Sequence, residues 1–168
     1  HRDLKPGNLF LTRRADRSEL VKVLDFGLSK MPVEEGSADA GLTATDAVAG
    51  SPHYMSPEQL RSLKEVDERT DIWALGVILY QLVTGVRPFN GPSPSAICAA
   101  VVVDQPAPMH DLRPELPPAL DAVVRRCLEK DPARRTPSMA ALAAGLAPFA
   151  LTRSAQSLER IARLAQDS

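Results

Sequence analysis

A mainly helical fold with one small β-hairpin near its start is predicted by three stretches of this chain. From Ile72 to Val83 the residues are apolar almost all round, which is the pattern of a helix buried on every side. Pro118 to Glu129 repeats apolar residues at helical spacing, with Leu120, Val123, Val124, Cys127 and Leu128 on one side. Leu9-Phe10-Leu11-Thr12 and Leu20-Val21-Lys22-Val23-Leu24 are short apolar runs around a polar segment, Arg13 to Glu19, and read as paired strands.

The remaining elements follow in order. From Met31 to Ala49 the chain is rich in Gly, Ala, Ser, Thr, Asp and Glu without periodicity, which predicts a loop. Asp71 can cap the start of the central helix and Gly85 its end. Ser93 to Val103 follows a Pro-rich turn and predicts a helix. Ser138 to Ala147 predicts a short Ala-rich helix that stops at Pro148. Ser154 to Gln166 predicts a last amphipathic helix through Leu158, Ile161, Ala162 and Ala165, within a tail expected over 149–168. The chain shows no internal repeat and no low-complexity tract.

With 168 residues, 44% of them hydrophobic, the chain fits one domain with a core of its own. A formal net charge of −1 and a pI near 6.3 give no electrostatic reason to expect nucleic acid or an anionic membrane as partner. Cys98 and Cys127 stand far apart and read as free thiols of a reducing cytosol. The longest apolar stretch falls short of the ~20 residues that span a bilayer, and no signal segment opens the chain. These features predict a cytoplasmic protein without a membrane segment.

The chemistry is concentrated near the start. His1-Arg2-Asp3-Leu4-Lys5-Pro6-Gly7-Asn8 sets a carboxylate near an ammonium and an amide, and seventeen residues beyond Asn8 comes Asp25-Phe26-Gly27. Further on stand Gly50-Ser51-Pro52-His53-Tyr54-Met55-Ser56-Pro57-Glu58, Asp71 at the start of the apolar helix, and Asp131-Pro132-Ala133-Arg134-Arg135-Thr136. These segments, in this order, resemble the protein kinases over residues 1 to 148, and within them the serine/threonine branch of bacterial type. An unrelated polar turn followed by a chance Asp-Phe-Gly triplet is the bland alternative, and the downstream segments argue against it.

The resemblance implies a protein-kinase-like C-lobe, a helical bundle whose small β-hairpin carries the catalytic and metal-binding loops. It implies ATP and Mg²⁺ as cofactors and a protein substrate with Ser or Thr hydroxyls. Asp3 is then the catalytic base, and Lys5 neutralises charge on the transferred phosphoryl group. Asn8 and Asp25 hold the metal, and Lys5, Asn8, Phe10 and Asp25 line the nucleotide site. Arg2 clamps a phosphate on Thr43 or Thr45, whose bland reading is two solvated threonines. Ser51 stands where Thr is usual in the substrate-docking loop and keeps a hydroxyl for Asp3 and Lys5. Ser56 departs from the usual Ala before Pro57-Glu58. Glu58 pairs with Arg135 as a structural tie, and Asp71 holds the catalytic-loop backbone from below. His1 packs beside Phe26. Trp73 reads as core, and His53 and His110 as surface or loop histidines.

These residues contain no G-x-G-x-x-G loop, no Val-Ala-x-Lys strand and no helix bearing its Glu partner. The N-lobe that carries them in the family is expected upstream. Half of a two-sided cleft is expected to bind nucleotide poorly, and the unpartnered Ile72-to-Val83 helix to expose apolar surface. A non-catalytic interaction module and a decayed reading frame are the competing readings. The intact set Asp3, Lys5, Asn8 and Asp25 favours a kinase, because a docking module needs no full set of phosphoryl-transfer groups.

Overall fold

The computed structural model describes residues 1–24, 52–62, 66–151 and 154–166. The loop expected from Met31 to Ala49 lies outside them. A single 3₁₀ turn at Pro6–Asn8 leads into strand β1, Leu9–Arg13, which pairs antiparallel with β2, Glu19–Val23. Leu9 stands opposite Val23 and Leu11 opposite Val21, so one face of the ribbon is aliphatic. Leu24 donates its N–H to Asn8 O at 2.8 Å, which ties the far end of the hairpin to the turn that starts it.

Seven helices pack beyond the hairpin among the described residues. Helix α1, Pro57–Arg61, opens with a capping box. Ser56 Oγ accepts from Gln59 N, and Gln59 Oε1 accepts from Ser56 N at 3.0 Å. Helix α2, Arg69–Thr84, is the expected central helix and ends at Gly85, whose φ of 80° is the left-handed conformation glycine adopts without penalty. Its start differs from expectation. The helix begins two residues before Asp71, at an N-cap Glu68 that makes no side-chain cap bond. The Asp71 carboxylate is therefore not a cap and is turned to another use, described below.

Helix α3, Pro94–Val103, is capped by Ser93 Oγ accepting from Ala96 N at 3.2 Å. A four-residue helix α4, Met109–Leu112, follows, its first N–H donating to Asp121 Oδ1 at 3.0 Å. Asp121 belongs to α5, Pro118–Cys127. Helix α6, Met139–Leu146, is capped by Ser138 and continues as a 3₁₀ turn, Ala147–Phe149, that accommodates Pro148. Helix α7, Ala155–Gln166, lays Leu158, Ile161 and Ala162 along Ala140, Ala143, Ala144 and Ala147.

The core is organised on α2. Trp73, Val77, Ile78 and Tyr80 meet Phe89, Val101, Met109, Val124 and Leu128. Ile72 packs with Cys127 and Leu142 in a second cluster, and Leu79 touches both. The expected bare apolar face on this helix is correspondingly small. Leu82 is exposed, while Leu75, Leu79 and Val83 are half-buried by neighbouring helices. Trp73 is core: it stacks on Phe89 with centroids 5.5 Å apart, and Lys130 Nζ sits 3.9 Å from the Phe89 centroid. Burial pushes the Lys130 amine down to about 8, against the opposing charge of Asp104. Its proton is still well used, since Nζ donates to Val101 O at 2.6 Å near the end of α3.

Candidate active site

The loop before the hairpin is held from three sides. Leu4 is buried beneath it. Asp3 N donates to His1 Nδ1 at 3.3 Å, which makes Nδ1 an acceptor and leaves Nε2–H to donate to Leu24 O at 3.1 Å. The Asp71 carboxylate reaches up from the first turn of α2. Its Oδ1 accepts from Arg2 N at 2.9 Å and its Oδ2 from the His1 nitrogen at 2.8 Å. Arg2 itself has φ 67°, a left-handed conformation that costs a non-glycine residue about 1–2 kcal/mol. Such a conformation persists where its surroundings over-determine it. Besides Asp71 below, Gln59 Nε2 donates to Arg2 O at 2.8 Å from α1.

On this support the three side chains expected of the site converge. Asp3 Oδ2 accepts from Lys5 Nζ at 2.9 Å and from Asn8 Nδ2 at 3.3 Å, and Asn8 Nδ2 also donates to Asp3 O at 2.8 Å. Asn8 is buried, while the Asp3 and Lys5 side chains keep about a quarter of their surface open, at 27% and 29%. With Oδ2 held twice, Asp3 Oδ1 is the oxygen without a hydrogen bond among the described residues, placed to accept one. The Asn8 nitrogen is engaged by Asp3, which leaves its amide oxygen as a hard donor of the kind Mg²⁺ takes. Among the described residues no three His, Cys, Asp or Glu side chains gather as a metal cluster. Asp25, the second expected ligand, lies outside the described residues, as do Phe26, Thr43, Thr45 and Ser51.

Two residues stand apart from this cluster. Phe10 is 59% exposed and sits on the face of β1 opposite Leu9 and Leu11. The Arg2 side chain is exposed, and its guanidinium makes no ion pair among the described residues. His53 contacts Arg87 at 3.2 Å and His110 contacts Asp111 at 3.1 Å.

Behind the loop, Glu58 and Arg135 meet in the interior. Arg135 Nη1 donates to Glu58 Oε1 at 2.6 Å and Nη2 to Oε2 at 2.9 Å, a bidentate pair. Thr70 Oγ1 adds a bond to Glu58 Oε1 at 3.0 Å, and Arg135 also donates to the carbonyls of Arg69 and Glu129. Burial pushes the Glu58 carboxyl up, but the Arg135 hydrogen bonds and charge outweigh it and hold the group below its ordinary value. The pair joins the first turn of α1 to the start of α2 and the turn after α5.

The residue that sequence reading missed is Gln59. Its signal was present: Ser56 followed three residues later by Gln is a capping-box spacing. The second bond, to the Arg2 carbonyl, spans 57 residues and has no local signal.

A helical lobe built on one buried helix, with an Asp–Lys–Asn loop mounted on a short hairpin, is the architecture of the protein kinases as a class. The family model described as "Protein kinase domain" matches residues 1–145, and the chain belongs to that family. It is 41% identical over 148 residues to the serine/threonine-protein kinase pkn3 of Myxococcus xanthus, covering 87% of this chain and 27% of that protein. It is 45% identical over 143 residues to Pkn1, a serine/threonine-protein kinase of the same organism, covering 84% and 20%. The tyrosine-protein kinase MasK, also of Myxococcus xanthus, is 42% identical over 151 residues, covering 89% and 22%. The chain thus spans about a quarter or less of the length of these curated relatives. Among the described residues no helix is long and apolar enough to cross a membrane.

Proposed function

We propose that this chain is the catalytic-loop part of a cytoplasmic serine/threonine protein kinase that transfers the γ-phosphoryl group of ATP to protein hydroxyls. The observation that supports it most is the division of labour on Asp3: Oδ2 is held by Lys5 and Asn8, and Oδ1 is left to accept. The substrate hydroxyl lends its hydrogen to Oδ1, and its oxygen is thereby aimed at the γ-phosphorus. As the new O–P bond forms, the bond to the β–γ bridging oxygen breaks, the proton passes to Asp3 and ADP leaves. Lys5 places a positive charge within reach of the transferred group.

The residues present fit Mg²⁺ as far as they are described. Asn8 offers an amide oxygen, and Asp25 would add a carboxylate; the ion, when bound, neutralises phosphate oxygens and orients them. Arg2, exposed and without an ion pair among the described residues, suits a phosphate acceptor on Thr43 or Thr45. Ser51 would dock the substrate segment beside Asp3. The other side of the nucleotide cleft belongs to an N-lobe outside this chain, and the isolated 168 residues are expected to turn over poorly without it.

Lys5-Pro6 after Asp3 favours serine and threonine over tyrosine, and the likeness to MasK makes this worth deciding directly. The test is phosphoamino-acid analysis of products made by the full-length protein from γ-labelled ATP. Phosphoserine and phosphothreonine are expected. Phosphotyrosine alone would overturn the substrate class, and no labelled protein at all would overturn the kinase reading.

A further inference from the structure

We infer that Gln59 is a positioning residue for Asp3, holding the peptide that joins Arg2 to Asp3 through a bond supplied from the end of the substrate-side segment. The inference rests on the reading of Asp3 as the base. The two peptide groups flanking Arg2 are each fixed by a side chain from a different helix. Asp71 of α2 takes the N–H on one side, and Gln59 of α1 gives its Nε2–H to the carbonyl on the other, at 2.9 and 2.8 Å. That second carbonyl shares its peptide plane with the Asp3 N–H, which donates to His1 Nδ1. Because Arg2 is held at φ 67°, the orientation of this plane is not one the backbone keeps by itself. Turning the plane would carry the Asp3 carboxylate away from Lys5 and Asn8.

The same amide does two separable things. Its Oε1 accepts from Ser56 N, completing the capping box that starts α1, and its Nε2 reaches Arg2. Gln59 is half-buried, and its bond to Arg2 lies at the surface. Glu58, its neighbour in sequence, is locked to Arg135. A shift of the segment entering α1 would therefore be felt at Asp3 through one hydrogen bond. The chemistry identifies Gln59 as a link between substrate-side and catalytic loops, acting through Arg2 and not on the reacting atoms.

Gln59→Glu separates the two roles. A carboxylate keeps the acceptor for Ser56 N, and Glu at this position still completes a capping box, but it cannot donate to Arg2 O and faces it with like partial charge. Two readouts are taken. In the full-length protein, kcat is expected to fall at least tenfold, with KM for ATP changed less than twofold. The defect relative to the parent should shrink as pH falls, because a protonated carboxyl can donate again. In the 168-residue chain, amide hydrogen exchange at Asp3 is expected to speed at least tenfold, while exchange in α2 and the unfolding midpoint stay as in the parent. Unchanged kcat and unchanged exchange at Asp3 would overturn the inference, as would a loss spread evenly over the whole chain. Should the parent itself transfer no phosphate, the kinase reading fails and the exchange at Asp3 alone decides the role of Gln59.

Discussion

At the scale of single residues, the interior Glu58–Arg135 pair shows how charge can be buried in this molecule. Glu58 is 7% exposed and Arg135 1%, yet each of the three guanidinium nitrogens donates to an oxygen. Breaking such a pair strands one charge: Arg135→Met should destabilise the chain by about 3–5 kcal/mol at neutral pH. The pair also sets a pH dependence. Since the folded carboxyl titrates below its unfolded value, its contribution is complete above about pH 5 and is lost as pH falls through the folded value. Urea midpoints measured from pH 7 down to 3 should decline below that point, and in Glu58→Gln this part of the decline should be absent. A decline of equal slope in both proteins would assign the acid sensitivity elsewhere.

At the scale of elements, close packing of α2 against the end of α5 depends on a missing side chain. A Cβ on Gly76 would lie 2.6 Å from Cys127 Cβ and 3.1 Å from Leu128 Cδ2. Gly76→Ala gains about 1 kcal/mol of helix propensity but forces the two helices apart, at a cost of ~1–3 kcal/mol. A net loss in the urea midpoint is expected, against a change within about 0.5 kcal/mol for Leu82→Ala on the exposed side of the same helix. Stabilisation by Gly76→Ala would mean that α5 yields more easily than its buried contacts indicate.

Elements were legible in the sequence where a periodic pattern met a stop signal. The strands fall within a residue of the apolar runs, and Ser93, Ser138 and Gly85 mark the ends of α3, α6 and α2. Helix α4, with four residues, carries no period to read, and the segment that became α1 offered only the Ser56–Gln59 spacing. The start of α2 was placed late because an Asp near an apolar run looks like a cap. What it serves is 70 residues away in sequence, at the His1 and Arg2 nitrogens, and no local pattern reports a partner at that distance. The left-handed Arg2 and the Gln59 bond were hidden for the same reason.

At the scale of the whole molecule, one buried helix organises both chemistry and core. From α2, Asp71 supports the candidate catalytic loop, and Trp73, Val77 and Ile78 carry the helices below. The motifs of the candidate site were readable because phosphoryl transfer needs a fixed set of side chains at short spacing. Their convergence on one oxygen of Asp3 comes from the fold. The account stands on Asp3 as the acceptor of the substrate proton, and steady-state phosphoryl transfer by Asp3→Asn in the full-length protein tests that most directly. Asparagine keeps the shape but cannot take the proton. A fall in kcat of at least ~100-fold, with the unfolding midpoint unchanged, is the predicted result; transfer near the parental rate would contradict it.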